Sequence, residues 1–171
     1  MSGPHLFTGP PGDPTRYHVT AADLEAGIAG GEGLVYRACR TGTDDVVALK
    51  VLASTSLADY DVRAERAEVL AGVRHPNLME QMETFLGCPL SERPVKSIED
   101  FDVPYSVARW IDGRPLAESV RTAGLPERIV WICDLAAALD HLHTPTASAP
   151  DGIVHRDVKP SNVRVRHDGH A

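Results

Sequence analysis

The stretch His155-Arg156-Asp157-Val158-Lys159-Pro160-Ser161-Asn162 constrains this chain more than any other. It follows a β-type pair, Ile153-Val154, and puts a carboxylate (Asp157), an ammonium (Lys159) and an amide (Asn162) within six residues. A carboxylate can orient a hydroxyl and accept its proton, and an ammonium can neutralise charge on a phosphoryl group in transfer. An amide oxygen is a hard ligand suited to Mg²⁺. An ordinary charged surface loop could hold the same residue types, but not usefully in this order. A fold that uses them must hold a polar loop open to a reactant.

The rest of the chain supplies elements for such a frame. Residues 1–16, with four prolines and three glycines, read as a disordered leader. LVYRACR (34–40) and VVALKVL (46–52) read as strands around the turn TGTDD, and the Gly-rich stretch 27–33 precedes them. Residues 57–73 read as a helix whose apolar stripe is Val62, Val69, Leu70 and Val73, ended by His75-Pro76-Asn77. Two more strands are expected around 78–86 and 105–111, joined by a long polar connection. A second helix is expected over 126–143, with Pro126 at its start and Ile129, Ile132, Leu135, Ala136, Leu139 and Leu142 on one face.

HRDVKPSN resembles the catalytic loop of protein kinases, H-R-D-x-x-x-x-N, in the variant of the Ser/Thr-specific branch. The resemblance implies that Asp157 is the catalytic base, that Lys159 contacts the γ-phosphate and that Asn162 ligates Mg²⁺. Val47-Ala48-Leu49-Lys50 resembles the family's V-A-I-K strand, whose Lys meets the α- and β-phosphates of ATP. Lys50 lies 15 residues after Val35, which fits the family's spacing. The glycine pattern G-x-G-x-x-G-x-V, anchored on Val35, falls on Ile28, Gly30, Gly33 and Val35, so the first glycine is replaced. Gly31, beside the pattern, joins Gly30 and Gly33 as a residue whose backbone could approach phosphate. Val35 and Ala48 are then expected over the adenine. Residues 107–116 resemble the hinge between lobes, with the backbone from Arg109 to Ile111 on the base and Asp112 at the ribose edge.

One element departs from the pattern. The family's helix after the Lys strand carries a Glu that pairs with that Lys, and the register from HPN puts Arg66 there. Glu65, Arg66 and Glu68 read either as a solvated helix face or, after a small rotation, as Glu65 facing Lys50 with Arg66 turned to solvent.

The expected fold is therefore α+β and protein-kinase-like. An antiparallel N-lobe sheet of five strands with one helix spans about 17–111, and the start of a helical C-lobe spans about 112–171. The implied reaction is ATP-dependent phosphoryl transfer to protein Ser or Thr hydroxyls, with ATP and Mg²⁺. The chain ends at Ala171 before any D-F-G segment, so it is expected to be an N-terminal portion of a kinase domain. A pseudokinase or other nucleotide-binding module and a small-molecule phosphotransferase are the rival readings. The net charge of −7 weakens a nucleic-acid role, and no apolar run approaches the roughly 20 residues of a membrane span. Three scattered cysteines, Cys39, Cys88 and Cys133, read as packing residues and suit a reducing cytoplasm. Oligomeric state is not legible.

Overall fold

The computed structural model describes residues 4–30, 33–52, 57–92 and 101–171. The chain divides into two units, Met1–Ala71 with Gln81–Trp110, and Gly72–Glu80 with Ile111–Ala171. Residues 72–80 belong with the second unit although the segments on either side of them belong with the first.

The first unit is built on one antiparallel sheet. Its strands are β1 (His5–Thr8), β2 (Tyr17–Thr20), β3 (Ile28–Gly30), β4 (Gly33–Arg40), β5 (Val46–Leu52), β6 (Gln81–Gly87) and β7 (Val103–Arg109). The spatial order is β1-β2-β4-β5-β7-β6, with β3 paired to β4. Alternation along β5 explains the two faces of this sheet: Val47 and Leu49 are buried on one face, while half-buried Lys50 and buried Leu52 lie on the other. Val47 and Leu49 join Tyr17, Val19, Tyr36, Phe85, Tyr105 and Val107 in the core. Phe85 stacks between Tyr17 and Tyr105, at centroid distances of 5.9 and 5.2 Å.

The leader expectation is corrected here. His5–Thr8 form β1, in register with β2 from His5↔Thr20 to Thr8↔Tyr17. The other edge of β1 meets Ser91, just past β6, where Phe7 N–H donates to Ser91 O at 2.8 Å and Ser91 N–H donates back at 3.3 Å. Thr8 is fully buried, and its hydroxyl donates to Cys88 O at 2.7 Å. The first strand thus joins the two ends of the sheet. Prolines and glycines at 3–4 and 9–14 frame a short β-favouring run, His-Leu-Phe-Thr, whose partners are distant in sequence. Arg16 and Tyr17 anchor the return: Arg16 Nη1 lies 2.8 Å from Glu83 Oε2, and the Tyr17 hydroxyl donates to Glu83 Oε1.

Two helices belong to the first unit. The five-residue α1 (Ala21–Glu25) was not foreseen; Thr20 caps it, accepting from Asp23 N–H at 3.1 Å. The second, α2 (Leu57–Ala71), closely matches the expected helix.

The second unit holds β8 (Gly113–Pro115), α3 (Leu116–Ser119), α4 (Leu125–His143), a 3-10 turn (Pro160–Asn162) and β9 (Arg164–Arg166). On α4 the buried residues are Trp131, Ala138 and Leu142, with Leu135 half-buried. Ile129 and Ile132, expected inside, are 51% and 65% exposed. The 131/135/138/142 spacing selects a face rotated from the one that hydropathy alone suggests. His75-Pro76-Asn77 is fastened within this unit: Asn77 Nδ2 donates to Asp134 Oδ1 at 3.2 Å and Arg166 Nη1 donates to Pro76 O at 2.7 Å. Among the described residues no helix is long and apolar enough to cross a membrane.

Candidate functional site

The loop after α4 is set by its exit. Gly152 takes φ 71°, and a Cβ there would lie 2.4 Å from His143 O, so only glycine fits this turn. Ile153 N–H then donates to Leu142 O at 2.7 Å. Ile153 and Val154 form no strand; the hydrogen bond to the end of α4 takes the place of a ladder. Arg156 is the single described non-glycine residue with positive φ, at 68°, directly before Asp157. Such a conformation persists where its surroundings hold it, and here Asp157 N–H donates to His155 Nδ1 at 3.3 Å.

Asp157, Lys159 and Asn162 come together as their spacing suggests. Lys159 Nζ lies 2.8 Å from Asp157 Oδ2. Asn162 Nδ2 donates to the same oxygen at 2.7 Å and to Asp157 O at 2.9 Å. The Lys159 hydrogen bond first, and then that of Asn162, hold the Asp157 carboxyl below its ordinary value of 3.8, although its side chain is 55% exposed. The amide nitrogen is turned to Asp157, so Oδ1 of Asn162 is left as an acceptor, a hard oxygen of the kind Mg²⁺ takes.

The loop is carried on the β8–β9 ladder, which sequence reading missed. Gly113 pairs with Arg166, Arg114 with Val165 and Pro115 with Arg164. A Cβ on Gly113 would meet Val165 O at 2.4 Å, which explains the glycine in Asp112-Gly113-Arg114-Pro115. Leu116 N–H donates to Val163 O at 2.9 Å and binds the chain just after Asn162 to the start of α3. Ile111 is half-buried and Asp112 exposed on the approach to β8.

The other expected residues lie in the first unit. Ile28, Gly30, Gly33 and Val35 form one hairpin, with Ile28↔Val35 and Gly30↔Gly33 opposed. Gly33 has φ 138°, which favours its lack of a side chain. Gly31 lies outside the described residues. Gly27, out of register with the motif, has a packing role, since a Cβ there would come within 2.6 Å of the Tyr36 ring. Lys50 pairs with Val35 on one side and Ser106 on the other, while Ala48 pairs with Arg37 and Ala108. Arg109 ends β7 and is exposed.

Lys50 opens onto a recess of about 200 Å³ between the sheet and α2. From α2 it is lined by Arg63, Arg66, Ala67 and Leu70. Glu65, expected to face Lys50, is exposed and does not line the recess, and Arg66, expected to turn to solvent, is exposed yet also lines it. Val62 is likewise 50% exposed rather than part of an inward stripe. The helix keeps its register, and the i, i+3, i+4, i+7 set 63/66/67/70 faces the sheet.

A family model described as the protein kinase domain matches residues 27–171. A probable serine/threonine protein kinase of Arabidopsis thaliana, IREH1, is 32% identical over 148 residues, covering 82% of this chain and 10% of that protein. The serine/threonine-protein kinase PknJ of Mycobacterium tuberculosis is 32% identical over 140 residues, 78% of this chain and 20% of its own length. A probable serine/threonine-protein kinase of Streptomyces coelicolor, SCO3848, is 30% identical over 82% of this chain and 20% of itself. The chain thus spans about a tenth to a fifth of the length of these relatives.

Proposed function

This chain belongs to the protein kinase domain family, and from that premise we propose that it serves phosphoryl transfer from ATP to Ser or Thr hydroxyls of a protein substrate. The observation that carries the reading is the Asp157 carboxylate, kept deprotonated by Lys159 and Asn162 on an exposed loop. A deprotonated carboxylate there can orient the acceptor hydroxyl and take its proton as the oxygen bonds to the γ-phosphorus and the bond to the leaving ADP oxygen breaks. Lys159, beside it, can shift its ammonium toward the phosphoryl oxygens. Asn162 Oδ1 fits a hard divalent ion, and Mg²⁺, when bound, would neutralise phosphate charge. Lys50 and the backbone of the β3–β4 hairpin are the groups assigned to the phosphates, Val35 and Ala48 to the adenine, and Arg109, Ile111 and Asp112 to the base and ribose. The unpaired Cys39, Cys88 and Cys133 suit a reducing compartment, and we assign the protein to the cytoplasm.

The test separates binding from chemistry in the full domain. Asp157→Asn is expected to abolish transfer while ATP affinity stays within a few-fold, and Lys50→Met to impair phosphate positioning as well. Near-normal turnover by Asp157→Asn would remove the base assignment. A second reading, a nucleotide-binding module without transfer, is favoured by one observation: Arg66 stands where the family's helix carries its Glu. ATP binding with no transfer in the full domain, even with the Asp157 loop intact, would select it.

A further inference from the structure

Arg63 and Arg66 have no part in the chemistry above, yet both line the recess that Lys50 opens onto. One helical turn apart on α2, they occupy one face, Arg63 half-buried and Arg66 exposed, and share the lining with Lys50 from the sheet. No carboxylate of the described residues lines this recess, and Glu65 and Glu68 of the same helix are exposed outside it. The polar lining is completed by Gln81, Thr84 and Ser106. Gln81 Nε2 donates to Ser106 Oγ at 3.1 Å, so the Ser106 oxygen acts as acceptor there and keeps its own O–H to donate.

Size and donor chemistry define the occupant. A recess of about 200 Å³ lies below the roughly 300–1,000 Å³ that hold drug-sized ligands, so it takes a small group rather than a whole nucleoside. Each guanidinium has five N–H donors in a fixed fork, so an arginine engaged elsewhere still has donors to offer, and the fork matches two oxygens of one tetrahedral anion. Such charge-assisted bonds are about twice as strong as neutral ones. We propose that this recess is an oxyanion site that takes one phosphate-sized group, gripped by Arg63 and Arg66 of α2 with Lys50 opposite. The group is either free inorganic phosphate or a phosphate of a bound nucleotide. The site lies within the first unit and stands whether or not the chain transfers phosphoryl groups.

Calorimetric titration of the chain with inorganic phosphate, at ionic strength held constant with chloride, tests it. One saturable site is expected. Arg66→Ala should weaken it about tenfold or more, the size of one lost hydrogen-bonded charge. Arg66→Lys, with the charge but not the fork, should fall between, and Arg66→Glu should abolish binding. Glu68→Ala, exposed and off the recess, should stay within twofold, and circular dichroism should show α2 unchanged throughout. Titrations with ADP and adenosine identify the source. If ADP displaces phosphate and Arg66→Ala weakens ADP but not adenosine, the group belongs to the nucleotide; if phosphate and ADP bind together, it is the free ion. Saturable phosphate binding of equal affinity in the unsubstituted chain and Arg66→Glu would overturn the proposal. So would the lack of any saturable phosphate binding combined with ADP affinity indifferent to Arg66.

Discussion

Asp157 shows that a carboxylate can be held ionised without burial. Its hydrogen bonds to Lys159 and Asn162 depress the carboxyl while more than half of its side chain meets water. A depressed carboxyl contributes stability that is present above its unfolded value and lost as pH falls through the folded one. Any such contribution therefore disappears only below about pH 4, and the base form persists across the neutral range. Lys159→Met removes the largest cause, so the Asp157 carboxyl should titrate closer to its ordinary value; carboxyl-carbon NMR across pH 2–6 checks this. Tyr17 is the opposite case. Burial first, then the hydrogen bond to Glu83, push its hydroxyl upward, and burial likewise pushes Tyr105 up to about 12. Tyr17→Phe leaves Glu83 with Arg16 but without the hydroxyl, in a part-buried setting. A loss of about 1–2 kcal/mol is expected, read as a lower urea midpoint at unchanged slope.

Among the elements, the small β8–β9 ladder supports the Asp157 loop, and Gly113 is its weak point. Gly113→Ala drives a Cβ into Val165 O and separates the strands, for a loss of roughly 1–3 kcal/mol. Amide exchange at 164–166 should accelerate more than exchange in α4. This ladder also marks the limit of what the sequence made legible. The helices at 57–71 and 125–143 were readable because their period is local, and β4 and β5 because their runs of apolar residues are long. The Asp157, Lys159, Asn162 cluster was readable because its parts lie within six residues. Three-residue strands such as β8 and β9, paired over some fifty positions, leave no periodic trace. The inward face of α2 was misread because hydropathy favours valine over arginine. An arginine beside a half-buried lysine reverses that preference only when the sheet opposite is known. The spacing of Arg63 and Arg66 with Leu70 carried the one available signal.

At the scale of the whole molecule, the first unit depends on residues that composition alone would discard. Glycine- and proline-rich flanks disguise β1, yet it bridges β2 on one side and Ser91 on the other. Deleting residues 1–16 should leave β2 and the Ser91 segment with unpaired backbone groups, a template for association between copies. The shortened chain should elute as soluble aggregates in size-exclusion chromatography where the complete chain does not, and a deletion of residues 1–3 alone should have no such effect.

The joining of Phe7 to Ser91 also sets a clock. Of the strands of this sheet, β1 leaves the ribosome before the others, and its partner follows 84 positions later. At synthesis rates of about 5–20 residues per second, that interval is roughly 4–17 s. Throughout it the nascent strand has β2 on one side and nothing on the other. Slow translation between the emergence of β1 and that of Ser91 should therefore lengthen the time for which a holding chaperone can capture the emerging chain, whereas a slow stretch read after both Ser91 and β7 have emerged should not.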